Sequence, residues 1–373
     1  MTYKIKLLII ILHLEGGGAE KILSRLILNL YNEFDIVLVT FYRKGRYLEE
    51  LLSLPGIEYH CLNAESGNTL SFAIRLRRII KKASPDKVLS FLYYPNIVAY
   101  LSLTGFSIPL ILSERSNHRL YLKTSIKHRV WKWLLGNAYR KAETIITVSD
   151  ESKAAIVYDF RIQGEKICTI YNGLSFPYLD RLMDEPVTDF DFIKDISYII
   201  AVGSINKAKN YPLLIESFSI LHSKHEDTRL VILGKGEMEN EINELITRLN
   251  LHEVIYLGGY CANPYKYLKH ASCYVLSSSW EGFPNSLLEA MYVNGHVVST
   301  NCPTGPSEII SHNEDGLLCE LNNPEELANA MEKMCYDNDF RKYVFNNSRR
   351  KIAKFDEKIM ISKYRKIFIK QVN

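Results

Sequence analysis

Leu276-Ser277-Ser278-Ser279-Trp280-Glu281-Gly282-Phe283-Pro284-Asn285-Ser286-Leu287-Leu288-Glu289-Ala290-Met291 is the stretch whose reading decides the fold. Residues 273–276, at its front, form a short apolar run that reads as a buried strand. Three serines, a glycine and a proline then predict a tight loop. Asn285, a favourable N-cap, opens a helical run over residues 286–294 that meets no breaker before Gly295. The free N–H groups of such a helix face the strand's carboxyl edge, where orphan donors and the positive dipole end suit an anion. Glu281 stands in the loop and Glu289 in the first turns of the helix. A carboxylate beside an anion site repels the anion unless it takes hydroxyl groups, and sugar hydroxyls are good donors to carboxylates. The stretch therefore reads as a grip for a nucleotide sugar.

Glu281 and Glu289, with Gly282-Phe283-Pro284 between them, match the Glu-seven-residues-Glu motif, and the chain resembles the retaining glycosyltransferases of family 4. That resemblance implies an α/β protein of the GT-B fold. In that fold two Rossmann-like domains face each other across a cleft and the C-terminal helix crosses back to the first, and the resemblance implies the same arrangement here. It also implies that Glu281 contacts the donor sugar and Glu289 the ribose, with Gly282, Phe283, Pro284, Asn285 and Ser286 lining the donor. Two glutamates at this spacing alone would be a weak signal. The whole phrase on a strand, loop and helix is a strong one.

The 373 residues bound the chain to two domains or one large one, and 47% hydrophobic with 24% charged residues is a globular balance. No apolar run reaches the roughly 20 residues of a spanning helix. Residues 7–12 are too short for a signal-peptide core and are followed by Glu15-Gly16-Gly17-Gly18 rather than a cleavage site, so they read as a first buried strand. Seven scattered cysteines without a Cys-x-x-Cys pattern suggest a reduced, cytoplasmic protein with neither disulfide framework nor zinc site. Residues 1–175 hold 24 Lys and Arg against 15 Asp and Glu, a net +9. With +4 for the whole chain, the remainder carries −5, so the front half is expected to meet an anionic partner.

The first half alternates strand-like runs with amphipathic helical patterns, as in a parallel sheet covered on both faces. Ligands then sit beyond the carboxyl ends of the strands. At the first such end, Gly16, Gly17 and Gly18 lead into a helix and let a ligand approach backbone N–H groups. In family 4 a Gly-Gly loop here faces the donor diphosphate and the acceptor. Charged residues at a later strand end, Glu114, Arg115 and His118, are expected to touch ligand. Many relatives place a His near this point, and here which of the three faces the reacting centre stays open. Between Arg119 and Lys141 lie seven Lys and Arg, no acid, and two tryptophans, Trp131 and Trp133. Basic residues with Trp and Leu on a helix suit an anionic membrane surface, whereas a solvated cationic helix packing its Trp face on its own core is the plain alternative. Base-stacking motifs are absent, so nucleic acid is not an expected partner.

Residues 176–195 shift in composition and read as an interdomain linker, in which Asp189-Phe190-Asp191 is a chance metal-like motif. Beyond it, the phrase from Gly203-Ser204 to Lys207-Ala208-Lys209-Asn210 resembles the family loop whose Arg and Lys neutralise the donor diphosphate. Lys209 matches the Lys, and Ser204 replaces the Arg. Gly234 begins a matching Gly-x-Gly turn, and Tyr260 and Cys261 fall where the family holds the nucleobase through backbone. Cys302-Pro303-Thr304-Gly305-Pro306 resembles bacterial members that transfer N-acetylhexosamine or galactose-type sugars in surface-glycan assembly.

These readings predict an acceptor-binding domain over residues 1–180, a nucleotide-sugar domain over 195–352 and a returning helix within 353–373. The expected activity is metal-independent, retaining transfer of a hexosyl group from a UDP-sugar to a lipid-linked glycan acceptor. The enzyme would need no cofactor and would sit peripherally on the inner face of the membrane. The expected catalytic residues are Glu281, Lys209, Glu114, Arg115 and His118. The alternatives are a GT-B nucleotide-sugar epimerase and a pseudoenzyme that binds sugar nucleotide without turnover. A sugar phosphorylase would need a pyridoxal phosphate lysine, for which the sequence offers no match.

Overall fold

The computed structural model describes residues 4–120, 126–187 and 197–370. The chain divides into two compact units, Met1–Gly173 with Lys358–Asn373, and Leu174–Glu357.

The first unit is a seven-stranded parallel sheet in the order β3-β2-β1-β4-β5-β6-β7. Its strands are β1 (Lys6–Ile11), β2 (Asp35–Thr40), β3 (Glu58–Cys61), β4 (Lys87–Phe91), β5 (Leu110–Glu114), β6 (Thr144–Thr147) and β7 (Ile167–Thr169). Continuous apolar runs such as Leu-Leu-Ile-Ile-Ile in β1 arise because helices cover both faces of a parallel sheet. Leu8 and Ile10 join one core layer with Val88, Leu112 and Ile145, while Leu7, Ile9 and Ile11 join the other with Leu89 and Phe91. This second layer also contains Met360, Ile361, Tyr364 and Phe368 of the last helix, Glu357–Ile369. Phe368 meets Phe34 edge to face at 5.6 Å, and Lys87 Nζ donates to the carbonyls of Ile367 and Lys370 at 3.2 and 2.7 Å.

The second unit is a six-stranded parallel sheet in the order β10-β9-β8-β11-β12-β13. Its strands are β8 (Tyr198–Val202), β9 (Arg229–Leu233), β10 (Ile255–Gly259), β11 (Cys273–Leu276), β12 (Val297–Thr300) and β13 (Leu317–Cys319). In each sheet the strand order reverses once, between β1 and β4 and between β8 and β11. Open parallel sheets leave a crevice at the carboxyl ends of the strands that flank such a reversal.

The linker reading fails in its first part. Phe176–Met183 is a helix of the second unit, held by the Phe176 ring stacked 4.6 Å from Tyr292 and by Tyr292 donating to Asp180 Oδ1 at 2.6 Å. The first unit accordingly ends seven residues before the expected residue 180, at Gly173. Asp189-Phe190-Asp191 lies outside the described residues. Among the described residues, no helix is long and apolar enough to cross a membrane.

Candidate active site

The quoted stretch follows β11 and meets the loop after β8, so the two segments converge where the second sheet reverses. Ser279 N–H donates to the Ala208 carbonyl at 2.8 Å, and Ser277 Oγ donates to the Lys209 carbonyl at 2.8 Å. With the backbones latched, Lys209 Nζ comes to 2.7 Å from Glu281 Oε1, and Ser278 Oγ donates to the same oxygen at 2.7 Å. The two charged side chains keep only 17% and 14% of their surface exposed. The strand end of β12 contributes a third anchor: Thr300 Oγ1 donates to the Ser278 carbonyl at 2.6 Å, and Thr304 Oγ1 donates to the Glu281 carbonyl. Thr304 adopts a left-handed φ of 65°, and such local strain persists only where its surroundings over-determine it.

Gly234 follows from close packing. A Cβ there would lie 1.8 Å from the Gly203 carbonyl oxygen, so only glycine lets the loops after β8 and β9 touch. Tyr211 clamps the same carbonyl with its hydroxyl at 3.0 Å, and burial raises that phenol well above its usual range. Gly203 itself leaves room for the Lys209 stem, whose Cε would stand 2.9 Å from an added Cβ. Ser204 and Lys207 are exposed.

The helix opens one residue earlier than expected, as Asn285–Val293, with Pro284 at the N-cap and no side-chain cap bond. Proline's fixed φ favours a helix start, so Asn285 is not needed as the cap. Ser286 Oγ accepts from Tyr274 at 2.8 Å, and Glu289 is buried. Phe283 is buried with its ring 6.1 Å from Phe355. Burial, reinforced by the Glu281 charge, pushes the Cys302 thiol up to about 12. Beyond β10, Tyr260 is exposed and Cys261 half-buried.

The first-unit residues are not brought together. Glu114 is buried and its Oε1 accepts from Asn96 Nδ2 at 2.8 Å; desolvation raises the carboxyl to about 7 despite that bond. Arg115 turns to the other side of the sheet, donating to Asn172 Oδ1 and, at 3.3 Å, to Tyr364 Oη. Its guanidinium also lies 5.3 Å from the Phe91 ring, and burial lowers its pKa. His118 is buried with Nε2 2.7 Å from Asp159 Oδ2; burial lowers its pKa against that partner's pull. Asp159 in turn is held at about 2, chiefly by the hydrogen bonds from Arg119. All three side chains are thus engaged with neighbouring elements. Gly17 stands at the N-cap of the helix Gly18–Leu30, with Gly16 before it.

In the cationic helix Ile126–Lys141, Trp131 packs on Tyr94 with ring centroids 5.7 Å apart, whereas Trp133 is 65% exposed. Trp133 borders a groove of about 300 Å³ with Arg129, Lys132, Gly136, Arg140, Asp159 and Phe160. Residues 121–125 of the basic stretch lie outside the described residues. No group of three or more His, Cys, Asp or Glu among the described residues is arranged to hold a metal ion.

Sequence reasoning singled out Lys209, Glu281 and the glycines but missed Ser278, Thr304 and Tyr211. The three serines at the end of a strand were the available signal for the first. Thr304 carries none, since its contact depends on β11 and β12 becoming neighbours, and Tyr211 carries none because its bond to the Gly203 carbonyl depends on how the loop after β8 folds back.

Comparison with known proteins matches "Glycosyltransferase Family 4" over residues 16–175 and "Glycosyl transferases group 1" over residues 189–351. A Campylobacter jejuni protein, N-acetylgalactosamine-N,N'-diacetylbacillosaminyl-diphospho-undecaprenol 4-alpha-N-acetylgalactosaminyltransferase, is 29% identical over 363 residues, covering 94% of this chain and 96% of its own. An uncharacterised glycosyltransferase of Methanocaldococcus jannaschii is 32% identical over 325 residues, covering 77% and 80%. Among solved structures, Anabaena HepE in complex with UDP and glucose superposes with a TM-score of 0.81 at 17% identity, covering 98% of this chain and 100% of that one.

Proposed function

The chain belongs to the glycosyltransferases, with a family 4 first half, a group 1 second half and the two-domain GT-B fold, and on that premise we propose that it moves a hexosyl group from a UDP-sugar to a lipid-linked glycan. The observation that carries this is the Lys209–Glu281 pair at the reversal of the second sheet. A nucleotide sugar is an anionic diphosphate joined to a ring of hydroxyl donors. One cation and one hydroxyl-accepting carboxylate, side by side, answer both demands. The UDP seen with HepE and the undecaprenyl diphosphate acceptor named for the Campylobacter relative support the choice of donor and acceptor class. N-acetylhexosamine is the favoured sugar, since that relative transfers N-acetylgalactosamine.

In this reading Glu281 orients sugar hydroxyls, Glu289 takes the ribose, and Lys209 with the N–H groups from Asn285 and Ser286 stabilises the departing diphosphate. Gly16, Gly17, Gly18, Gly203, Ser204, Gly234, Tyr260 and Cys261 border the donor. The acceptor oxygen forms its bond to the anomeric carbon on the face from which the diphosphate leaves. The C–O bond to the diphosphate breaks with its electron pair, and the acceptor's proton passes to a diphosphate oxygen. Configuration is retained and no metal takes part. Glu114, Arg115 and His118 serve as positioning residues, given their engaged side chains. The helix Ile126–Lys141, with the cations Arg129, Lys132 and Arg140 outnumbering Asp159 around its groove and with Trp133 exposed, supports peripheral contact with an anionic bilayer at the inner face of the membrane.

The test is incubation with a panel of UDP-hexoses and polyprenyl-diphosphate-linked acceptors, reading the product's anomeric configuration by NMR, with and without EDTA. A retained anomer formed in EDTA supports the proposal. An inverted product, or activity restored only by Mn²⁺ or Mg²⁺, contradicts it.

A further inference from the structure

Beyond the grip, the first unit holds a second cluster of titratable groups where its own sheet reverses. His13 follows β1, and its Nδ1 is buried, facing Glu20 Oε1 at 3.4 Å and Glu15 Oε2 at 3.5 Å. Glu20 lies in the first turn of the helix Gly18–Leu30 with only 9% of its side chain exposed. A carboxylate that deep costs several kcal/mol of desolvation unless something answers its charge. The positive end of the helix and the charge of the buried Arg115 guanidinium answer part of it. The carboxylate also lies close against the backbone of the turn: a Cβ on Gly17 would stand 2.3 Å from Glu20 Oε2. Glu15 is engaged elsewhere, 3.0 Å from Lys44 Nζ and half exposed. Glu20 is therefore the fixed partner of the imidazole.

This arrangement favours one tautomer of the ring. A carboxylate facing Nδ1 keeps the proton on that nitrogen and leaves Nε2 with its lone pair. The His13 side chain is 23% exposed, and because Nδ1 is buried this exposure falls on the rest of the side chain. Separations of 3.4 Å are longer than a formed hydrogen bond, and contacts of this kind commonly tighten only when substrate is present.

Resting on the glycosyl-transfer reading, we infer that His13 is the acceptor-binding residue of the first unit. Its Nε2 accepts a hydrogen bond from a hydroxyl of the acceptor sugar, and Glu20 is the positioning residue that holds the ring and its tautomer. The ligand class is a neutral glycan hydroxyl, since a phosphate oxygen offers no proton and would meet the charge of Glu20.

The experiment measures transfer from UDP-N-acetylgalactosamine to a polyprenyl-diphosphate-linked N-acetylhexosamine disaccharide, together with UDP affinity by calorimetry, for the full chain and for His13→Ala and Glu20→Gln. Loss of one substrate hydrogen bond predicts a fall of about tenfold to a hundredfold in kcat/KM for the acceptor in His13→Ala. UDP affinity and the unfolding temperature should stay near those of the unaltered chain, a split that loss of a structural histidine would not give. Glu20→Gln should raise the acceptor KM with a smaller effect. Wild-type kinetics in His13→Ala, or loss of UDP binding in parallel with transfer, would overturn the assignment. If the unaltered chain binds UDP yet glycosylates no hydroxyl acceptor, the transferase reading itself falls and takes this inference with it.

Discussion

Lys209 Nζ and Glu281 Oε1 stand 2.7 Å apart although 72 residues separate them, because β8 and β11 are neighbours in the sheet. The pair is partly buried, so each charge depends on the other more than an exposed pair would. On the proposed function, donor binding would reorganise this contact, with Lys209 turning to phosphate and Glu281 to sugar hydroxyls. Glu281→Gln is expected to cut turnover strongly while UDP binding survives. Lys209→Ala should weaken UDP by more than Lys207→Ala does, since Lys207 is exposed and unneeded by the grip. Calorimetry beside steady-state kinetics checks both, and equal effects of the two lysine changes would refute the role of Lys209.

Gly234→Ala tests the loop contact. Its methyl would overlap the Gly203 carbonyl, so the loops after β8 and β9 must part. A destabilisation of about 1–3 kcal/mol, typical of overpacking, should appear in denaturant unfolding along with weakened UDP binding. Unchanged unfolding and binding would show that the loops tolerate separation.

Glu114 predicts a pH dependence of stability. Its folded pKa of about 7 lies above the ordinary 4.5, so the folded state holds the proton more tightly than the unfolded state. Below pH 4.5 both states are protonated and the shift contributes nothing. Between 4.5 and 7 the folded state loses stability as pH rises, by an amount on the order of 3 kcal/mol in all, and above 7 the loss is complete. Glu114→Gln should therefore gain Tm relative to wild type as pH rises from 5 to 8, with the Asn96 contact retained. Parallel Tm curves would mean that the carboxyl is not held neutral.

The cationic helix predicts salt-sensitive binding to vesicles containing anionic lipid. Each cation near such a surface contributes on the order of 1 kcal/mol within a Debye length. Arg129→Glu with Lys132→Glu should release the protein from vesicles while UDP affinity is kept. Sedimentation that shows no binding of the wild type at low salt would leave these residues as a solvated face.

The strand-and-helix alternation and the Glu281–Glu289 phrase were legible in sequence because parallel sheets and helix starts have local signatures. The helix Phe176–Met183 was missed because Pro177 in its first turn and the Asp184-Glu185-Pro186 that follows it resemble a linker, while its stability comes from Phe176 and Asp180 meeting Tyr292 more than a hundred residues later. Glu114, Arg115 and His118 were expected to touch ligand because they are charged residues at the carboxyl end of a strand. A strand turns successive side chains to opposite faces, so Glu114 and Arg115 part toward Asn96 and Tyr364. Trp131 and Trp133 divide in a similar way, one packed on Tyr94 and the other in the open. Conversely, His13 and Glu20 carry no motif of their own, and only the turn at Gly17 brings them face to face.

The most direct test of the central claim is UDP release from UDP-N-acetylgalactosamine, measured with and without a polyprenyl-diphosphate-linked glycan, for the wild type and for Glu281→Gln. The account predicts fast, acceptor-dependent UDP release by the wild type, with a matching glycosylated lipid product, and near-complete loss in Glu281→Gln at undiminished UDP affinity. UDP release indifferent to the glycan, or undiminished turnover in Glu281→Gln, would contradict it.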